Sequence, residues 1–303
     1  MIDFVGKKQW FFLVSGILVF IGIISLAVFG INPGTDFAGG TSITLQFNPP
    51  VEQSQLRQEM ANLGYDKATI QNAGEGNFII HLREITSAEA RELADELGAK
   101  LNSQVKITDY YLASPTVGAE TARDAVIAVI VAAIAMLFYI VWAFRRMPKP
   151  FRWGTCAIIA LLHDVFIIVG IFSFLGWLAG VEIDAMFITG LLAVVGYSIN
   201  NTVVVFDRIR ENVTKQISPD FAVTVNSSIV ETLGRSLNTA LTTLFVILAL
   251  FLFGGATIHY FVLVLLFGVI IGTYSSICIS SQLLVVWEKG EWGKLLPFAK
   301  RPA

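Results

Sequence analysis

The stretch "AMFITGLLAVVGYSINNTVVVFDRIREN", residues 185–212, decides how the chain is read. No charged side chain occurs between Ala185 and Phe206, and a helix of about 22 residues at 1.5 Å per residue crosses a hydrocarbon core of ~30 Å. Ser198, Asn200, Asn201 and Thr202 interrupt this run, and Asp207, Arg208, Arg210 and Glu211 close it. Ser198, Asn201, Thr202 and Val205 recur at spacings of three and four, so they share adjoining positions on one helical face. In a bilayer such a stripe must face protein or water. The stretch is a membrane span with a polar side.

The rest of the sequence agrees. It has 303 residues, of which 55% are hydrophobic, and its formal net charge of -2 gives no general attraction to nucleic acid or other polyanions. Mean hydropathy is +0.69, too apolar for an ordinary soluble domain. Five further apolar runs extend from Trp10 to Phe29, Asp124 to Phe144, Cys156 to Ala179, Ser236 to Gly254 and His259 to Trp287. Six spans result, in a one-plus-five arrangement. The first run leads into "GINPGTDFAGG" (30–40) without a small-residue cleavage site, so it reads as a retained helix and not as a signal peptide. Lys7, Lys8, the "RRMPKPFR" loop (145–152), Arg208, Arg210, Lys215, Lys289, Lys294, Lys300 and Arg301 all fall on one side of this topology. That asymmetry predicts cytoplasmic termini for a multi-pass membrane protein. The expected divisions are a first transmembrane helix over 1–30, an outer domain over 31–119, a five-helix membrane domain over 120–288 and a cytoplasmic tail over 289–303. Within the third, "SPDFAVTVNSSIVETLG" (218–234) is expected as a separate helix at the cytoplasmic interface.

The outer segment carries roughly twice as many acids as bases. Alternation in "TSITLQF" (41–47), "KATIQNA" (67–73), "NFIIHLR" (77–83) and "QVKITDYYLAS" (104–114) predicts four strands. "VEQSQLRQEMANLG" (51–64) and "TSAEARELADELGAKL" (86–101) predict helices that stop at Gly64 and Gly98. "GEGN" (74–77) supplies a hairpin turn, and Thr86 or Ser87 a helix start. The order β-α-β-β-α-β is the split ferredoxin-like pattern. The fold class is therefore an all-α membrane bundle of six helices with a small ferredoxin-like α+β extracytoplasmic domain.

Other polar residues fall at the depth of Asn201. The span holding His163 and Asp164 runs in the opposite direction, which brings these two level with Asn201. A buried carboxylate there costs several kcal/mol unless it is paired or neutralised. Arg235 opens the next span, followed by Asn238, Thr239, Thr242 and Thr243, and Glu231 precedes Arg235 by four residues, the favourable order for a helical ion pair. Ser198, Asn200, Asn201, His163, Asp164, Arg235 and Thr239 thus make a candidate polar seam. Interhelical hydrogen bonding and proton or ion passage are both open readings of it. Asp207, Arg208 and Arg210 read as a cytoplasmic anchor, Gly268 and Gly272 as a close helix contact, and Cys156 and Cys278 as packed thiols. No nucleophile elbow, phosphate loop or zinc-protease motif occurs, and three scattered histidines make no metal site. No enzymatic activity and no cofactor are expected, with the proton as the coupling ion.

With "GTDFAGGTSI" (34–43), "ALLHDVFIIVGIF" (160–172), "VVGYSINNTVVVFDRIREN" (194–212), "TLGRSLNTALTTL" (232–244) and "LFGVIIGTYSSICIS" (266–280), the chain resembles the SecF branch of the SecD/SecF family, within the resistance-nodulation-division superfamily. The resemblance implies an accessory subunit of the Sec translocase that pairs with SecD, joins the SecYEG channel, with YajC and YidC as further associates, and helps draw preproteins across the membrane on the proton motive force. It also implies that Asp36, Gly39 and Gly40 form the family's entry to the outer domain, that His163 and Asp164 are its "HD" pair, and that Arg235 is its basic partner. One departure stands out: the family motif reads "SINDT", and this chain has Asn201 where that aspartate takes part in proton passage. An amide mimics a protonated acid in shape and releases no proton. A substitution that holds one state, an acid in SecD, and Asp164 as the substitute are the open explanations. Two other readings compete: a small-molecule exporter subunit of the same superfamily, and a non-coupling scaffold of the translocon.

Overall fold

The computed structural model describes residues 2–292. Lys294, Lys300 and Arg301 of the basic tail lie outside the described residues. The first span is α1 (Lys8–Phe29), followed by a short helix α2 (Thr35–Ala38) that the sequence pattern did not reveal. The outer domain then runs β1 (Gly40–Asn48), α3 (Gln53–Asn62), β2 (Thr69–Gly74), β3 (Asn77–Leu82), α4 (Ser87–Leu101) and β4 (Gln104–Ala113). The strands form one antiparallel sheet in the order β2-β3-β1-β4, the ferredoxin-like arrangement. Side chains alternate across it. Ile43, Leu45, Phe47, Ile70, Phe78 and Ile80 pack under Leu56, Met60, Leu93 and Leu97 of the two helices. The opposite face, with Ser42, Thr44, Gln71 and His81, looks toward the membrane bundle across a cavity it shares with Met186 and Tyr260.

Thr86 starts α4 through a capping box with Glu89. Gly98 does not end this helix, as the sequence had suggested. The helix continues to Leu101 and closes on Asn102 in the left-handed conformation, φ 50°. Gly98 instead lets the chain fold back closely, since a Cβ there would sit 2.9 Å from the Ser103 carbonyl oxygen.

The remaining spans are α5 (Pro115–Ala143), α6 (Pro150–Ala179), α7 (Ala185–Thr214), α8 (Phe221–Phe253) and a final crossing. That crossing comprises α9 (Ala256–Ser275), a π-helical turn (Ser276–Ser280) and α10 (Ser281–Lys289). Among the described residues, six helices are long and apolar enough to cross a membrane. The stretch 218–234 is not a separate interfacial helix: Asp220 caps α8, and the helix continues unbroken through Gly234. No proline follows Pro219 in that stretch, and Thr224, Val225, Ser228, Ile229 and Thr232 bury one face, so packing sustains the helix where polarity had argued for a break.

α7 and the final crossing form the centre of the bundle. A Cβ on Gly268 would meet Val194 Cγ2 at 2.0 Å, and one on Gly272 would meet Ser198 Cβ at 3.0 Å, so the two backbones approach to a distance only glycine permits. Near the basic loop, Trp153 stacks on Phe144 at 5.2 Å and meets Phe206 edge-on at 5.4 Å. Cys156 and Cys278 are buried free thiols. By contrast α5 buries only Gly118 and Ile140, and the outer half of α8 presents Leu241, Phe245, Val246, Leu252 and Phe253 outward.

Candidate functional site

Asp164 is the centre of the candidate site. It lies on α6 and is 1% exposed. Its Oδ2 accepts hydrogen bonds from Ser198 Oγ of α7 and Ser275 Oγ of α9, each at 2.6 Å. Its Oδ1 lies 2.9 Å from His163 Nδ1. Three helices therefore converge on one carboxyl group, with a donor or a titratable ring at each oxygen. His163 Nε2 is buried and makes no hydrogen bond to any described atom. Buried polar atoms are rarely left so.

Asn201 lies one turn further along α7, 3% exposed, and its Nδ2 reaches Thr273 Oγ1 at 3.4 Å. Thr273 is itself bonded to the Val269 carbonyl at 2.7 Å. Ser198, Asn201, His163 and Asp164 thus come together as the helical spacing predicted. The serine column beyond Asp164 went unseen in the sequence. Ser276 donates to Thr273 O at 3.0 Å, Ser280 to Ser276 O at 2.8 Å and Ser281 to Ser276 O at 2.9 Å, all fully buried. The π turn rotates these residues inward, a register change that a regular helical period does not anticipate. The clustering of serines in an apolar span was the available signal.

The other predicted seam members point elsewhere. Asn200, Arg235, Asn238 and Thr239 are exposed. Thr239, Thr242 and Thr243 satisfy their hydroxyls on their own helix, at 2.9 Å from the carbonyls of Arg235, Asn238 and Thr239. The expected Glu231–Arg235 pair does not form. Glu231 binds Arg208 Nε at 2.5 Å and Asn212 Nδ2 at 2.9 Å instead, because Arg208 and Asn212 of the neighbouring α7 lie closer than the next turn of α8. Arg235 makes no ion pair among the described residues. Arg208 also holds Glu211 at 2.6 Å, and Arg210 pairs separately with Asp207 at 2.5 Å, so the anchor residues form two ion-paired groups at the end of α7.

At the other end, Asp36 Oδ2 accepts the Ala185 N–H at 3.0 Å, joining α2 to the start of α7. Gly39 and Gly40 adopt φ +77° and +127°. A Cβ would lie 2.8 Å from the Pro115 backbone at Gly39 and 2.6 Å from the Leu82 carbonyl oxygen at Gly40, so both positions require glycine. No group of His, Cys, Asp and Glu suited to a metal ion occurs among the described residues.

Comparison with known proteins places this geometry. The family model "Protein export membrane protein SecD/SecF, C-terminal" matches residues 94–290, and the "SecD/SecF GG Motif" matches 24–51. Protein translocase subunit SecF of Thermobaculum terrenum is 42% identical over 96% of this chain and 96% of its own length. The corresponding subunit of Anaerolinea thermophila is 38% identical over 100% of this chain and 99% of its own. The crystal structure of SecDF, a translocon-associated membrane protein from Thermus thermophilus, superposes with a TM-score of 0.83 at 35% identity, over 95% of this chain. This chain spans 39% of that longer protein. The chain belongs to the SecD/SecF family of protein-export membrane proteins.

Proposed function

We propose that this chain is an accessory subunit of the Sec translocase that works with a SecD-like partner to move preproteins across the membrane, with protons as the coupling ion. Asp164 is its titrating group, and Asn201 serves as a fixed neutral neighbour. The observation that carries this reading is the placement of a buried carboxyl group between three helices, within 2.9 Å of a histidine and two hydroxyls. Such a group binds or releases a proton at a point where helix packing responds. Simple interhelical bonding needs no ionisable residue at this depth.

The exposed polar side of α8 supports the partner. Arg235 and Asn238 present a guanidinium and an amide outward, and Asn200 of α7 presents another amide. None has an intrachain side-chain partner among the described residues. Facing acyl chains they would be costly, whereas a second membrane domain would satisfy them. The longer SecDF protein, of which this chain matches 39%, holds such additional length within one polypeptide. With the basic loops facing the cytoplasm and the ferredoxin-like domain outside, that domain is positioned to meet a preprotein leaving the SecYEG channel.

The test is export into inverted vesicles holding this chain, its SecD-like partner and the channel, with and without a proton gradient. Asp164→Asn is expected to remove the gradient-dependent increment and to leave complex assembly intact. An unchanged increment refutes the coupling role and favours the scaffold. A stable homo-oligomer that binds small apolar cations and recovers neither partner nor channel favours the exporter.

A further inference from the structure

A second buried ionisable cluster lies where the outer domain meets the bundle, well apart from Asp164. Glu182, in the loop between α6 and α7, is 8% exposed, and its Oε2 lies 3.6 Å from Nδ1 of His81 on β3. The pair bridges the two parts of the molecule. The same loop is tied to the segment after α1 by backbone bonds, Gly34 N–H to Ile183 O and Ile183 N–H to Asn32 O, each 2.8 Å. His81 and Glu182 line two cavities at once, one of about 520 Å³ and one of about 250 Å³, so the pair forms part of the wall between them. Lys67, Arg83 and Asp66 line the larger. Asp36, Asp109, Asp184, Tyr111 and Tyr260 line the smaller.

We propose that Glu182 and His81 form a proton-binding latch: a proton held at this pair keeps the outer domain seated on the bundle, and its loss loosens the joint. The latch goes beyond the export reading and does not depend on it. Without the proton, Asp36, Glu182 and Asp184 bring three carboxylates into one joint, with Glu182 itself buried. Burial pushes the Glu182 carboxyl up to about 7, with a hydrogen bond to Thr69 opposing and the charges of Asp184 and Asp36 adding to the rise. Burial likewise raises Asp184, against the Phe187 N–H bond. Burial holds the His81 imidazole below its usual value despite the charge of Asp36. The seated joint therefore keeps Glu182 protonated between 4.5 and about 7, where a loosened joint releases that proton. Seating weakens as pH rises through that window and levels off above it. The window caps the change in the seating equilibrium at about 300-fold. His81 acts in the opposite sense from its usual value of 6.5 downward, offsetting part of the change within that window, because a second proton on the pair charges a buried ring.

The measurement is hydrogen exchange of the Gly34 and Ile183 amides in the full chain in lipid nanodiscs, corrected for intrinsic rates. Wild-type protection is expected to fall by about tenfold or more from about pH 5 to about pH 8. Glu182→Gln, a permanent mimic of the protonated acid, is expected to lose most of that fall, leaving only the responses of Asp184 and His81. Infrared pH-difference spectra supply a readout independent of how well the variant packs: a carboxylic C=O band that disappears near neutrality in the wild type and is missing in Glu182→Gln. Protection that does not vary in the wild type, a full pH response retained in Glu182→Gln, or a band unaffected by that substitution overturns the latch. Neither readout uses a partner or a gradient, so either result leaves the export reading to be judged by its own vesicle assay.

Discussion

Asp164→Asn keeps the shape of the buried carboxyl and removes its proton chemistry, which makes it the sharpest perturbation of the seam. The carboxyl presently takes two hydroxyl bonds at 2.6 Å on Oδ2 and meets His163 Nδ1 at 2.9 Å on Oδ1. An asparagine must place its NH2 on one side. Turned toward the serines, it forces both hydroxyls to rotate, and Ser275 then falls back on the Gly272 carbonyl at 3.3 Å. Turned toward His163, it requires Nδ1 to accept. Bonds to a charged partner are worth about 1.5–3 kcal/mol and neutral ones about 0.5–1.5, so exchanging three of them costs on the order of 3–4.5 kcal/mol. Asp164→Ala instead leaves both hydroxyls and the ring without their partner, at about 1–3 kcal/mol each. Unfolding in mixed micelles is expected to rank wild type above Asn and Asn above Ala. Export in energised vesicles is expected to separate the variants differently, with Asn and Ala both losing the gradient-dependent increment. Asn retaining that increment while its stability drops refutes the reasoning, because the group would then be structural only.

Asn201→Asp places a second carboxyl beside Thr273 and is expected to increase gradient-dependent export in the same vesicles; equal rates mean that position 201 carries no proton step and leave Asp164 of α6 as the titrating group. Gly40→Ala is expected to impair export without preventing insertion, since φ +127° and the Leu82 carbonyl at 2.6 Å leave no room for a Cβ, a strain of about 1–3 kcal/mol or more. Normal export by that variant removes the hinge assignment. Arg235→Gln is expected to lower co-purification with the SecD-like partner while leaving the isolated chain's thermal midpoint within ~1 °C, because Arg235 forms no ion pair among the described residues; recovery at wild-type yield refutes the interface.

The elements that could be read from the sequence were those with a strong local signature. Apolar length marked all six crossings, and the alternation of Ile43, Leu45 and Phe47 marked a strand whose buried face is set by burial alone. The helical spacing of Ser198 and Asn201 placed both on the buried side of α7. The errors came where a distant contact outweighed the local pattern. Glu231 had a suitable neighbour in Arg235, yet Arg208 and Asn212 of another helix captured it. Asn200 and Asn201 looked equivalent as a pair of amides, and a rotation of about 100° per residue puts one outside and the other inside. Ser275 could not be identified as a ligand of Asp164, since its partner lies 111 positions away and its own span changes period at the π turn.

The two ionisable sites share one rigid element, and this bears on how they would communicate. Asp184 caps α7 through the Phe187 N–H at 2.7 Å, and Asp36 holds the Ala185 N–H at the same end. Ser198, which binds Asp164, lies about 21 Å further along that helix. Gly268 and Gly272 let α9 press against Val194 and Ser198, so α7 cannot slide without carrying Ser275 or breaking the close contact. A change of seating at Glu182 and a change of charge at Asp164 therefore act on the same helix pair. Coupling between them requires that this pair have two packings, each favoured by one protonation state. If it does, Glu182→Gln alters the pH response measured at Asp164, and Asp164→Asn alters the protection of the Ile183 amide by the same factor. Two independent responses would mean that α7 holds a single position and that each site works alone.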